Sequence, residues 1–463
     1  LKKYILWLVG FLVLVCACVL WFSYSSCRVE SRKETIDLVI LHVNDTHGHL
    51  YPFNNKGKED VGGIARLSTL VKTIRRENKG RTLVLHAGDV FSRGGPLTVY
   101  YAGEVNLLAM DKIGFDVFIP GNGEFYTLVD NLLKQTSRVS FPTILSNVFY
   151  RDSGERLYPP YTILEVAGIK IGILGLGFIR ENHPSAWSLR YQDPVDAASE
   201  FVPILKQDTD LVIALSHIEF QDFPRLAMES PEIDIIVGGH THTFLKAPRT
   251  LPRPEGEADM IMVMAGEFTT SLGRLDVQLK LDGKGRYVIS KYEGQLIPID
   301  SSVEEDPEIV ALLDKYAQPL QEVVATSKIL LPHSKEANSI GNYIVKVMHQ
   351  RLGGDLAILF RPAVHAAIQP GDITLAHICR VHQWRSRVVE FTLPGAHILK
   401  LQKNEPIFWT GQPSIDPAKD YNVIADEALL MNVASLQNIT FKETGERVDT
   451  ILLKHLKQIK VIE

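Results

Sequence analysis

Seven residues of types that hold divalent cations fall in five short clusters along this chain: Asp45 and His47, Asp89, Asn122, His217, then His240 and His242. Asp45-Thr46-His47 places an oxygen and a nitrogen donor on one turn. Asp89, after Leu83-Val84-Leu85-His86-Ala87-Gly88, offers a carboxylate whose two oxygens suffice to bridge two ions. Gly121-Asn122 brings an amide oxygen, and Gly239-His240-Thr241-His242 brings two imidazoles separated by one residue. Nitrogen and oxygen donors without thiolate suit Zn, Mn or similar divalent ions, and a shared carboxylate suits a pair of metals. Taken singly, an Asp-x-His is more often an exposed polar pair than a ligand set, and a histidine at a strand end is more often a polar cap. The ordered set of seven carries the metal reading.

Each cluster lies just past a run that reads as a β-strand, where a loop can project side chains from one edge of a sheet. Strands are predicted at Ile36 to Val43, Thr82 to His86, Thr143 to Leu145, Ile169 to Leu176, Leu211 to Leu215, Ile233 to Val237 and Ile261 to Ala265. Helices are predicted at Ala65 to Arg76, Val99 to Ile113 and Pro194 to Lys206. The alternation of β-branched runs with helical stretches argues for an α/β fold. Strand-rich sequence from Gly273 to Pro298 closes a first unit over residues 36–300. Asp306-Pro307 then opens an amphipathic helix whose apolar positions Ile309, Leu312, Leu313, Tyr316, Leu320 and Val324 recur at helical spacing. We read 301–325 as a connector and 326–463 as a second domain.

A length of 463 residues fits two domains better than one. The net charge of -5, with acids and bases interspersed, gives no face for a polyanion and disfavours nucleic acid as a partner. Residues 1–30 read as a signal peptide, lipoprotein leader or membrane anchor: Lys2 and Lys3 precede an apolar run from Tyr4 to Phe22, an arrangement that exports the rest of the chain. Cys18 and Cys27 each loosely resemble a lipoprotein processing site. Three of the four cysteines fall in this leader, so Cys379 has no internal disulfide partner in the body and reads as a small buried hydrophobe. The expected location is periplasmic or otherwise extracytoplasmic, at the membrane.

The segments Val43-Asn44-Asp45-Thr46-His47-Gly48, Ala87-Gly88-Asp89-Val90, Gly121-Asn122, Leu215-Ser216-His217 and Gly238-Gly239-His240-Thr241-His242 resemble the metallophosphoesterases of the 5′-nucleotidase family. The resemblance continues through Leu272-Gly273-Arg274-Leu275-Asp276 and Leu296-Ile297-Pro298-Ile299-Asp300. It implies a four-layer α/β/β/α metallophosphoesterase sandwich followed by a smaller α/β C-terminal domain that binds the nucleotide. By motif position it also implies one metal on Asp45, His47 and His242, a second on Asn122, His217 and His240, and Asp89 bridging. A metal-activated water would then attack phosphorus.

Two departures stand against that pattern. The family reads Gly-Asn-His-Glu where this chain has Gly121-Asn122-Gly123-Glu124, and loss of such an imidazole costs on the order of 10²- to 10⁴-fold in rate without touching metal affinity. Arg93, His86 or His49 could supply substitute positive charge. In the second domain, the family's Asn-Gly-Gly-Gly-x-Arg has become Phe360-Arg361-Pro362-Ala363-Val364-His365. Trp384 holds the place of one base-stacking aromatic, and Leu430 to Ser435 replaces the segment that carries the other. Arg361, His365, Trp384, Arg385 and Arg387 could form a cationic substrate pocket or, alternatively, an interdomain salt-bridge surface. The expected function is hydrolysis of a phosphate monoester, nucleotide or related, with reduced efficiency. The alternatives are a divergent relative acting on a sulfur-containing or other non-phosphate substrate, and a metal-binding module without catalysis.

Overall fold

The computed structural model describes residues 32–463 apart from 92–93, 182, 256–257, 412–413 and 438. The leader expected at 1–30 and the Arg93 side chain therefore lie outside the described residues. Among the described residues no helix is long and apolar enough to cross a membrane.

Two sheets build the first part of the chain. One runs in the order Tyr287–Pro298, Ser271–Leu281, Thr35–Val43, Thr82–His86, Val117–Phe118. The other runs Arg249–Leu251, Met260–Val263, Ile235–Gly238, Leu211–Ser216, Ile169–Leu176, Tyr161–Val166. From Leu38 onward every residue of Thr35–Val43 is buried, as a strand covered on both faces requires. Leu38 and Ile40 pack with Ile171, Ile213, Leu215 and Val237 between the sheets. Their neighbours Val39 and Leu41 pack with Leu67, Val71 and Met110 of the helices Ile64–Glu77 and Glu104–Ile113. On the far side Leu174, Val212 and Ile236 meet Val195, Val202 and Leu205 of the helix Pro194–Asp208. Period-2 alternation thus gives each strand two apolar faces, and the layers stack α/β/β/α.

Two expected elements differ. The single helix predicted over Val99 to Ile113 is two, Pro96–Tyr101 and Glu104–Ile113, because Ala102 (φ 48°) and Gly103 (φ 85°) turn left-handed between them. Gly103 is required there, since a Cβ would lie 2.2 Å from the Phe91 ring. Thr143 to Leu145 makes one parallel bridge, Phe118 to Thr143, and no strand. Its neighbour Val117–Phe118 is only two residues long and offers no ladder to extend.

Asp306 caps the helix Pro307–Ala317, accepting from the Glu308 N–H at 2.9 Å while Ser68 (2.5 Å) and Lys72 (2.7 Å) hold its other oxygen. This helix buries Ile309 and Leu313, and Tyr316 meets Tyr101 edge to face at 4.9 Å. Beyond it lie a five-stranded sheet, ordered Ile407–Gly411, Leu356–Phe360, Asp420–Asp426, Arg387–Pro394, Lys442–Arg447, and a small three-stranded one. Helices Ile340–Leu352 and Val448–Ile459 cover one face of the larger sheet, and Gly395–Asn404 with Glu427–Asn432 the other. Cys379 is free and buried, and burial pushes its thiol up to about 12.

Candidate metal centre and interdomain cleft

Parallel pairing brings the strand ends into line. Val43 pairs with His86, Leu85 with Val117, and Ser216 with both Leu176 and Gly238, so the loops beyond them emerge at one edge. The Asp45 N–H donates to Gly88 O and the His47 N–H to Asp89 O, each at 2.9 Å, locking the first two loops together. Gly239 permits close approach: a Cβ there would lie 2.3 Å from Ala87 O and 2.9 Å from His217 Nδ1. Five of the seven residues, Asp45, His47, Asp89, His240 and His242, have φ between 45° and 74°. Left-handed backbone costs a non-glycine residue about 1 kcal/mol or more, and such strain is kept where side-chain direction matters more than local comfort.

These loops converge on two groups of donors. Asp45, His47 and His242 each present a ligand atom within 4.8 Å of the others, and so do Asp45, Asp89 and His217. His47 Nε2 and His242 Nε2 are 3.0 Å apart, and Asp45 Oδ1 lies 3.3 Å from His242 Nε2 and 3.8 Å from His47 Nε2. Asp45 Oδ1 is buried with no hydrogen-bond partner, whereas Oδ2 accepts from Asn44 Nδ2 (2.7 Å) and the His240 N–H (2.9 Å). Asp89 divides its oxygens: Oδ2 lies 3.6 Å from His47 Nε2 and Oδ1 3.5 Å from His217 Nε2. Asn122 Oδ1 stands 3.3 Å from His217 Nε2. Convergent lone pairs around a buried, unpartnered carboxylate oxygen fit a pair of divalent ions with Asp89 between them.

Electrostatics follow from this crowding. Burial alone would raise the Asp89 carboxyl, but His217, His47 and the Gly123 N–H hold it well below the usual carboxylate range. Burial would lower His217, and the Asp89 and Asp45 carboxylates raise it to about 10. His217 Nδ1 lies 2.8 Å from Ala87 O, so that nitrogen carries the proton and Nε2 faces the site. His242 is raised first by the Asp45 carboxylate, 3.3 Å from its Nε2, and then by Glu267, whose Oε2 lies 2.5 Å from Nδ1.

His240 flanks the second group. It stands 5.0 Å from the His217 ring, and its Nε2 turns to Glu219 at 3.1 Å. His86 lies inside the fold with Nε2 3.2 Å from the Thr46 hydroxyl, and burial lowers it to about 3, which leaves it neutral. Residues not singled out from the sequence also shape the site. Glu124 accepts from the N–H groups of Asp89, Val90, Phe91 and Gly121 at 2.6–3.0 Å, tying the Asp89 loop to the Asn122 loop. Burial and the Asp89 charge push its carboxyl up to about 8 against the Phe91 and Gly121 N–H donors. Gly123 has φ -66° and ψ -33°, a conformation open to any residue, so the backbone does not demand glycine there.

A cleft of about 460 Å³ runs from Asn122 to the second domain, lined by Tyr126, Arg180, His183, Trp384 and Arg387 among others. Trp384 packs near Phe360 and edge to face with His365, at 6.3 and 5.6 Å. Arg385 also lines the cleft, but its guanidinium is committed to Asp449 (3.0 Å) and, across the domains, to the carbonyls of Val99 (2.8 Å) and Tyr100 (3.0 Å). Arg387 is paired with Glu427 at 2.7 Å and with Glu443. Arg361 lies on a short turn after Leu356–Phe360 and is not among the lining residues.

Comparison with known proteins agrees with this architecture. The calcineurin-like phosphoesterase family matches residues 38–244, and the 5′-nucleotidase C-terminal domain family matches residues 323–451. A 5′-nucleotidase of Vibrio cholerae is 26% identical over 443 residues, covering 81% of this chain and 78% of the relative. The 5′-nucleotidase of Bos taurus is 33% identical over 313 residues, covering 60% of this chain and 52% of the relative. The crystal structure of a 5′-nucleotidase precursor from Thermus thermophilus superposes with a TM-score of 0.67 at 24% identity, covering 92% of this chain and 97% of that one, a likeness of fold. With both domains matched in this order, the chain belongs to the 5′-nucleotidase family of calcineurin-like phosphoester hydrolases.

Proposed function

We propose that this protein is an exported, metal-dependent hydrolase that cleaves a phosphate monoester, a nucleotide or a related compound, and does so slowly. The observation that carries the reading is the placement of Asp89, with one oxygen toward His47 and the other toward His217, beside a cleft that begins at Asn122. Asp45, His47 and His242 would hold one divalent ion, and His217, Asn122 and His240 the other. Two such ions supply Lewis-acid activation of water and neutralise charge on the phosphoryl oxygens. The protein's own groups do the rest. Glu124 fixes the Asp89 loop, Glu267 and Glu219 orient the imidazoles of His242 and His240, and Trp384 offers an aromatic face to a base. Relatives named 5′-nucleotidase support a nucleotide. Export and any membrane attachment rest on residues 1–30, and the working domain division is 36–300, 301–325 and 326–463.

Gly123 removes the imidazole that would meet the transferring phosphoryl group, and Arg93, four residues after Asp89 in the sequence, is our candidate for a substitute cation. The test is phosphate release by the Mn²⁺- or Zn²⁺-loaded protein from nucleoside monophosphates and from an activated aryl phosphate. Slow turnover of the nucleotide with faster turnover of the aryl ester is expected. Bound metal with no turnover of either ester would contradict the proposal.

A further inference from the structure

Beside the Asp45–His47 turn lies a small internal cavity of about 10 Å³, with Thr46, His86 and Asn106 among its walls. The strand Thr82–His86 ends on His86, and the first turn of the helix Glu104–Ile113 carries Asn106, on the same face as Met110 and Ile113. His86 is 1% exposed and Asn106 2%. Among the described residues, His86 Nδ1 and Asn106 Oδ1 have no hydrogen-bond partner. The other walls are mostly apolar, Leu67, Met110 and Phe115 among them, and offer these two atoms nothing. Leaving both unpaired costs the desolvation of each. The His86 ring is not free to turn elsewhere: Phe115 and Phe118 flank it at 5.8 and 5.9 Å, and its Nε2 lies 3.2 Å from the Thr46 hydroxyl. A space of this size holds one water, and a buried water joins polar groups that otherwise lack partners. One unpaired oxygen beside one ring nitrogen does not make the oxygen shell that Ca²⁺ or Mg²⁺ requires.

We propose that this cavity binds one ordered water, which joins His86 Nδ1 to Asn106 Oδ1 and makes His86 a positioning residue for the metal-binding turn. The chain of contacts runs from the helix through Asn106, the water and His86 to the Thr46 hydroxyl, and Thr46 stands between Asp45 and His47. Water serves either tautomer of a neutral imidazole, accepting from Nδ1–H or donating to Nδ1 while it donates to Asn106 Oδ1. The link to the metal rests on the binuclear reading above. The water site does not.

The test compares the full chain with Asn106→Leu, which puts an apolar side chain of similar size in place of the amide, and Asn106→Ser, which keeps an oxygen. A high-resolution crystal structure of the unaltered protein should show one density peak within about 3.2 Å of both His86 Nδ1 and Asn106 Oδ1. A peak at His86 Nδ1 should persist in the serine variant and vanish in the leucine variant. Calorimetry of Zn²⁺ binding should show one of two ion sites weakened about tenfold by leucine, with serine within about threefold of the unaltered protein. An empty cavity in the unaltered protein overturns the proposal, and so does a direct hydrogen bond between His86 and Asn106. Equal weakening in the two variants, or none in either, overturns the positioning role, because the amide would then act through packing or not at all. If the unaltered protein binds no metal, the binuclear reading fails, and the density peak still decides for or against the water.

Discussion

Glu267→Gln perturbs the metal centre through one hydrogen bond. Glu267 is nearly buried, its Oε2 lies 2.5 Å from His242 Nδ1, and its Oε1 meets Lys56 at 3.2 Å. His242 turns its other nitrogen toward Asp45 and His47, so the carboxylate fixes both the tautomer and the ring angle and makes Nε2 a better donor. Glutamine keeps the length and loses the charge. Removing such an outer partner costs about 10- to 100-fold in metal affinity, equal to about 1.4–2.7 kcal/mol. The loss should fall on the ion nearer His242 and spare the one nearer His217, whose Nδ1 is held by Ala87 O instead. Competition with a chelator, followed by calorimetry of Zn²⁺ or Mn²⁺ binding, should show two sites in the unaltered protein and one weakened site in the variant. Equal weakening of both sites, or of neither, would refute this division of labour.

Two further outcomes are expected. Gly123→His meets no backbone strain and should raise kcat on nucleoside monophosphates about tenfold or more; no gain would show that position 123 does not limit the reaction. Asp426 is buried with Oδ1 accepting from the Phe360 N–H at 2.7 Å, and burial pushes its carboxyl up to about 8. Because its folded pKa is raised, its contribution to stability is full below about pH 4 and is lost as pH rises through about 8. The Tm of Asp426→Asn should therefore gain on that of the unaltered protein from pH 4 to pH 8 and then level off, and a constant gap would contradict the assignment.

The seven candidate positions stand out in the sequence because each comes just after an apolar run, and the strand Thr82–His86 ends where its pattern does. The break at Ala102 and Gly103 was not, because the contact that forces it, with Phe91, joins residues with no periodic relation. Left-handed backbone at Asp45, His47 and Asp89 is not legible in the sequence, since aspartate and histidine, though enriched in that region, adopt it at only a minority of their positions. Glu267 and Glu219 reach their imidazoles across loops, and carboxylates in loops look alike until the fold pairs them. In the second domain the sequence leaves Arg385 and Arg387 open between a ligand pocket and an interdomain salt-bridge surface, and in the fold neighbouring acids and, for Arg385, carbonyls across the interface take them up.

Anomalous diffraction from crystals soaked in Mn²⁺ tests the binuclear centre most directly. Two peaks about 3.5–4 Å apart are predicted, with Asp89 between them, Asp45, His47 and His242 around one, and His217, Asn122 and His240 at the other. A single peak, or peaks elsewhere, would contradict it.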